Sequence, residues 1–271
     1  MTTSPFFIAD DLVSNQTSNK QLEIHADIGG TYSRFRLASG NHTLAKQCYT
    51  NADADSFNEV LDQFIANHEI DAKACDFVAA IAGPIERQRC KLTNIGWTID
   101  AADLQSAYGF SHALLLNDLE SAAFGVLNEP LPHTTINSGQ VADEGVALVV
   151  GIGTGLGMAY AIRHSDTLQV FASEGGHIDF SPRNSIQAQI SQQLGTGGQP
   201  LSYEELLSGS GIEAIYSTLQ ANIKPLDAAS ISGLAHKGHP LAEQTMAIFA
   251  DICAAYLANL TLAFRPTMGI H

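Results

Sequence analysis

Two copies of one local pattern, a short apolar strand, a glycine-threonine turn and a second strand, limit what this chain can fold into. The first is Leu22-Glu-Ile-His-Ala-Asp-Ile28, then Gly29-Gly30-Thr31, then Arg34-Phe-Arg-Leu37. The second is Gly145-Val-Ala-Leu-Val-Val150, the cluster Gly151-Ile-Gly-Thr-Gly-Leu-Gly157, and Met158-Ala-Tyr-Ala-Ile162. Short β-favouring runs on either side of a glycine turn predict a β-hairpin in each place. A spacing of about 120 residues suggests an internal duplication, although glycine hairpins are common in any α/β protein. At about 150 residues per domain, the length of 271 residues allows one large domain or two lobes, and two α/β lobes are expected.

Between and after the hairpins, periodicity places the remaining elements. A third strand is expected at 44–49, and a helix at 55–68 from the spacing of Phe57, Val60, Leu61, Phe64 and Ile65. A strand at 77–81, a loop over 82–97, a short helix at 100–108, an apolar strand at 113–116 and a helix after Asn117-Asp118 follow. In the second half, strands at 146–150, 158–162 and 168–171 precede helices at 184–194, 203–207, 212–221 and 241–264. The last helix carries Phe249, Ile252, Cys253, Tyr256, Leu257 and Leu260 on one stripe and stops before Pro266. The expected division is a loose leader over 1–20, a small α/β lobe over 21–116 and a large one over 117–271. The start of the leader holds Asp10 and Asp11 and no basic residue before Lys20, unlike a secretory or mitochondrial signal.

Charge and cysteine usage narrow the function classes. Thirteen Lys plus Arg against 28 Asp plus Glu give a net charge of −15, which argues against nucleic acid or anionic membrane as partner. The uncharged run over 145–162 is long enough to test as a membrane span. Its closely spaced glycines and β-branched runs fit strand, turn, strand better. Cys48, Cys75, Cys90 and Cys253 show no paired spacing, which fits reduced thiols filling the core of a cytoplasmic protein rather than a disulfide or zinc framework.

Four places carry candidate chemistry. Glycine turns let backbone N–H groups converge on an anion, and the adjacent threonine adds a donor, so the two hairpins could clamp a polyphosphate; each alone is as readily a tight turn. Asn117-Asp118 follows a buried strand, where α/β folds collect ligands, but both residues also suit a helix N-cap. Glu174-Gly-Gly-His177 offers an acceptor and a donor-acceptor suited to neighbouring hydroxyls, and alternatively His177 serves only a backbone carbonyl. Ser202-Tyr-Glu-Glu205 fits a capping box that employs Glu205 and leaves Glu204 without a structural task, and Ser208-Gly-Ser-Gly211 opens a helix.

In order along the chain stand Asp27-x-Gly-Gly-Thr-x-x-Arg34, Gly83-Pro84 with Thr93-Asn-x-x-Trp97, Asn117-Asp118, Gly151-x-Gly-Thr-Gly-Leu-Gly157, Glu174-Gly-Gly-His-x-x-Phe180 and Glu204-x-x-Leu-Ser-Gly-x-Gly211. This series resembles bacterial ATP-dependent glucokinases of the hexokinase–actin ATPase superfold, over about residues 22–264. The Cys-rich zinc motif of the related ROK sugar kinases is absent. The resemblance implies a two-lobe, ribonuclease H-like fold with a sugar and ATP cleft, in which the lobes close over the sugar. It implies transfer of the γ-phosphoryl group of ATP to the 6-hydroxyl of glucose in glycolysis, with Asp118 as general base. Asn94, Asn117, Asp118, Glu174, His177 and Glu204 would bind the sugar. Asp27, Gly29, Gly30, Thr31, Arg34, Gly151, Gly153, Thr154, Gly155 and Gly211 would hold ATP, with Mg²⁺ reached from Asp27 through water. It also implies a homodimer. The resemblance departs at Phe264-Arg-Pro-Thr-Met-Gly-Ile-His271, which keeps at most one glycine of a pair, with the adenine-framing turn and closing helix not following. The chain is therefore expected to be a fragment, or to be a catalytically weak sugar-binding or regulatory protein that has lost its adenine pocket.

Overall fold

A computed structural model describes residues 21–129, 131–195, 200–220 and 225–271, so the expected leader lies outside the described residues. The chain forms two compact units, Met1–Ser121 and Ala122–His271.

The first unit is built on a five-stranded sheet in the order β3-β2-β1-β4-β8. Its strands are β1 (Leu22–Ile28), β2 (Tyr32–Ser39), β3 (His42–Thr50), β4 (Cys75–Ile81) and β8 (Ala113–Asn117). Strands β1 to β3 form an antiparallel meander, and β4 and β8 run parallel to β1 in register, with Ile28 beside Ile81 and Ile81 beside Asn117. Three carboxyl ends thus finish on one edge. Helix α1 (Phe57–Asn67), capped by the Ser56 side chain accepting the Glu59 N–H, buries Phe57, Val60, Leu61 and Phe64. Phe35 stacks on Phe57 and Phe64 with ring centroids 6.0 and 5.1 Å apart, which fastens the helix to the sheet.

The expected loop over 82–97 instead contains most of a second, three-stranded sheet of β5 (Ile85–Glu86), β6 (Arg89–Leu92) and β7 (Trp97–Asp100). Its first turn places Arg87 and Gln88 at φ of 51° and 61°, so two non-glycine residues occupy left-handed backbone. The usual Asn-Gly signal of such a turn is missing, which hid the hairpin. Helix α2 (Ala101–Tyr108) follows, capped by Asp100, and α3 (Asp118–Asn128) begins directly after β8 and runs into the second unit.

The second unit repeats the opening of the first. Strands β9 (Gly145–Ile152), β10 (Leu156–His164) and β11 (Thr167–Ser173) form an antiparallel meander, and Ile270 bridges Leu148 in parallel, as β4 lies beside β1. This shared topology supports the duplication, and it makes the run over 145–162 a hairpin. Four helices follow: α4 (Ser185–Leu194), α5 (Gly209–Leu219), α6 (Ala228–His236) and α7 (Pro240–Phe264). Among the described residues α7 is the one helix long and apolar enough to cross a membrane. Here it buries Ile252, Ala255, Tyr256 and Leu260, and Arg265 ends it in the left-handed region.

Three further expectations need correction. Residues 203–207 form a single turn closed by Leu207 N–H donating to the Tyr203 carbonyl, because Ser208 immediately caps α5. Helix α6 was not expected at all; its one buried residue, Ile231, gives almost no amphipathic contrast. All four cysteines are free, but only Cys75 and Cys90 are buried; Cys48 is exposed on β3, an edge strand, and Cys253 is half-buried.

Candidate active site

In the first unit the candidates gather at the shared carboxyl edge of β1, β4 and β8. The turn Gly29–Thr31 closes with Gly29 N–H donating to the Tyr32 carbonyl at 3.0 Å. Buried Asn51 holds it in place: its side-chain amide donates to the Gly29 carbonyl, its backbone N–H donates to the Thr31 carbonyl, and its Oδ1 accepts the Ser33 hydroxyl, each at 2.8 Å. Sequence reasoning missed Asn51, since a lone asparagine after a strand carries no motif. Exposed Asp27 and Arg34 pair at 2.9 Å across β1 and β2, and the guanidinium also lies over the Tyr32 ring at 5.6 Å. Asn94, on the turn before β7, lies beside Gly30: its Nδ2 is 4.0 Å from where a Gly30 Cβ would stand.

Asn117 ends β8 and Asp118 starts α3. The Asn117 amide donates to the Gly83 carbonyl at 3.2 Å, and its Oδ1 accepts the Leu119 N–H at 2.9 Å, so it is Asn117 that takes the cap-like place. Asp118 Oδ1 also accepts the Leu119 N–H at 2.9 Å. Burial pushes the Asp118 carboxyl above the ordinary carboxylate value, and the charge of Asp27 adds to the rise, while the Leu119 N–H and the Asn117 side chain oppose it. The half-buried acid is thus placed by a strand end and aimed by backbone. Gln88 holds the middle of that strand: its side chain makes two hydrogen bonds to the Leu115 backbone, at 2.8 and 3.3 Å. It too was not foreseen.

In the second unit, Gly151 lies inside β9 opposite Gly157, and the turn proper is Gly153-Thr154-Gly155. Gly153 N–H donates to the Gly155 carbonyl and Gly209 N–H to the Gly153 carbonyl, both at 2.9 Å, which ties the turn to the start of α5. Buried Gly211 gives its own N–H to Ser208 Oγ at 3.1 Å and packs against the Leu206 backbone, where no side chain would fit.

Glu174, His177 and Glu204 come together. His177, at the end of a 3₁₀ turn over Gly175–His177, places Nε2 3.7 Å from Glu174 Oε2 and Nδ1 3.8 Å from Glu204 Oε1. The capping box forms as expected, with Glu205 Oε2 accepting both the N–H and the hydroxyl of Ser202. Glu204, however, does have a structural task, because its Oε2 accepts the Leu156 N–H at 2.9 Å. Two carboxylates flanking an imidazole give acceptors for sugar hydroxyls and one group able to donate or accept. Among the described residues no arginine or lysine pairs with Glu174, His177 or Glu204.

The glucokinase family model matches residues 24–271 of this chain. The glucokinase of Nostoc punctiforme is 34% identical, over 92% of this chain and 83% of its own length. The chain belongs to the glucokinase family. The crystal structure of a glucokinase from an Antarctic psychrotroph superposes with a TM-score of 0.75 at 29% identity, covering 93% of this chain and 82% of its own. The Balamuthia mandrillaris glucokinase in complex with glucose shares the fold, with a TM-score of 0.69 at 22% identity, covering 94% of this chain and 80% of its own. The mixed α/β fold with its strand meanders is accordingly that of the two-lobe actin-like ATPases.

Proposed function

We propose that this glucokinase-family enzyme transfers the γ-phosphoryl group of ATP to the 6-hydroxyl of glucose, with Asp118 as the base that takes the hydroxyl proton. The observation that carries the assignment of the base is the half-buried Asp118 carboxyl at the carboxyl end of β8, held by the Leu119 N–H. Phosphoryl transfer asks for a positioned acceptor, an aligned base and neutralised charge rather than a covalent intermediate. At neutral pH an ionised Asp118 accepts the proton as the sugar oxygen attacks, and its raised pKa makes it a better acceptor than an ordinary carboxylate.

Asn94, Asn117, Glu174, His177 and Glu204 hold sugar hydroxyls in this reading. The Gly29–Thr31 and Gly153–Gly155 turns, with Arg34 and the start of α5, hold phosphate, whereas buried Gly211, its N–H taken by Ser208 Oγ, serves the packing of α5 on Leu206 rather than the phosphate. Mg²⁺ travels with ATP, keeps most of its waters and needs only one or two protein carboxylates. Asp27 fits that demand, being exposed and close enough to Asp118 to raise its pKa. Among the described residues no cluster of three or more His, Cys, Asp or Glu could hold a metal alone. When bound, the ion would neutralise phosphate charge, and Asp27 is the residue that would hold it.

Replacing Asp118 with Asn tests the reading. The amide keeps shape and can still cap, so a merely structural Asp118 predicts retained turnover. As the base, its loss lowers kcat by about 10² or more while glucose binding, measured by calorimetry, persists.

A further inference from the structure

The second turn carries two glycines in different surroundings. A Cβ built on Gly153 meets nothing within 4 Å, whereas one on Gly155 lies 2.6 Å from Glu204 Oε2 and 3.3 Å from its Cδ. That same oxygen accepts the Leu156 N–H. The Glu204 backbone is fixed as well, its N–H donating to the Gly176 carbonyl at 2.9 Å, and Gly176 packs so closely on the Leu156 carbonyl that no side chain fits between them. Glu204 is therefore located by its backbone, by the Leu156 N–H and by the bare face of Gly155. Its other oxygen is left 3.8 Å from His177 Nδ1.

We infer that Gly155 is a positioning residue for the sugar, although it belongs to a turn assigned to phosphate. The missing side chain lets Glu204 reach the Leu156 N–H and so sets where Oε1 stands beside His177. The two glycines of one turn then serve different substrates: Gly153 leaves room for a phosphate, and Gly155 leaves room for a sugar-binding carboxylate. A methyl on Gly155 points at Glu204. What yields to it is the far end of a flexible side chain, at the cost of a charge-assisted hydrogen bond and of the place of Oε1. This inference rests on the reading of Glu204 and His177 as sugar ligands.

The test compares Gly155→Ala with Gly153→Ala, using KM for each substrate and calorimetric glucose binding without nucleotide. Gly155→Ala is expected to weaken glucose binding and raise the glucose KM about tenfold or more, the cost of a lost hydrogen bond to a charged group, with the ATP KM within about twofold. Gly153→Ala leaves glucose binding unchanged. Combining Gly155→Ala with Glu204→Asp shortens the acid and relieves the overlap, so the double variant loses less than the product of the single losses. The inference is overturned if Gly155→Ala moves the ATP KM alone, moves both constants equally with a fall in Tm, or moves neither, or if the two single losses simply multiply. Wild-type protein that binds no glucose sinks the site reading and this inference together; normal wild-type binding with an unselective Gly155→Ala sinks the inference alone.

Discussion

Asp118 gives the sharpest residue-scale consequences. A base whose folded pKa is raised loses its charge on acidification sooner than an ordinary carboxylate, so the acid limb of kcat/KM is expected to lie higher than an unperturbed aspartate would place it. A pH-rate profile with no acid limb at all would contradict Asp118 as the base. The same shift fixes a stability trend. With its folded pKa above its unfolded one, the Asp118 carboxylate is a cost to the folded state at neutral pH, and that cost disappears as the pH falls through the raised value. Asp118→Asn is therefore expected to be the more stable protein in urea at pH 7, with the difference narrowing towards pH 4. A variant less stable at pH 7 would mean that the carboxylate is held by partners stronger than the Leu119 N–H.

At the scale of elements, the glycine turns separate binding from folding. Gly153 is exposed with open space around its missing Cβ, so Gly153→Val is expected to fold normally and to raise the ATP KM about tenfold or more by blocking backbone approach. Gly176→Ala places a methyl against the Leu156 carbonyl and is expected to destabilise by about 2 kcal/mol or more in urea unfolding. Wild-type ATP kinetics in the first variant, or wild-type stability in the second, would reverse these assignments. Both turns and most strands and helices were legible in the sequence, because alternation around glycine and the 3.6-residue stripes of α1 and α7 are strong local signals. The β5–β7 sheet was not, because its strands are two to four residues long and its first turn is made by Arg87 and Gln88. Motif order identified the candidate residues. What holds them was illegible: Asn51, Gln88 and the Glu204–Leu156 bond join residues from 18 to 48 positions apart.

For the whole molecule, the two units divide the chemistry that phosphoryl transfer to a sugar requires. The first offers the proposed base, Asp118, and a glycine turn beside Asp27, and the second offers a glycine turn beside a cluster of carboxylates and an imidazole. The absence of a fixed cation among Asn117, Asp118, Glu174, His177 and Glu204 predicts an uncharged hexose as ligand, because a sugar phosphate calls for Arg or Lys. Calorimetry with glucose and glucose 6-phosphate is expected to favour glucose, and tighter binding of the phosphate would contradict this. The central claim is phosphoryl transfer from ATP to the 6-hydroxyl, and ³¹P NMR of a mixture of this protein with glucose, ATP and Mg²⁺ tests it most directly. Glucose 6-phosphate is expected to appear in step with ADP, at an ordinary enzymatic rate of about 1–10³ s⁻¹. Release of inorganic phosphate without a sugar phosphate, or glucose binding with no product at all, would contradict it.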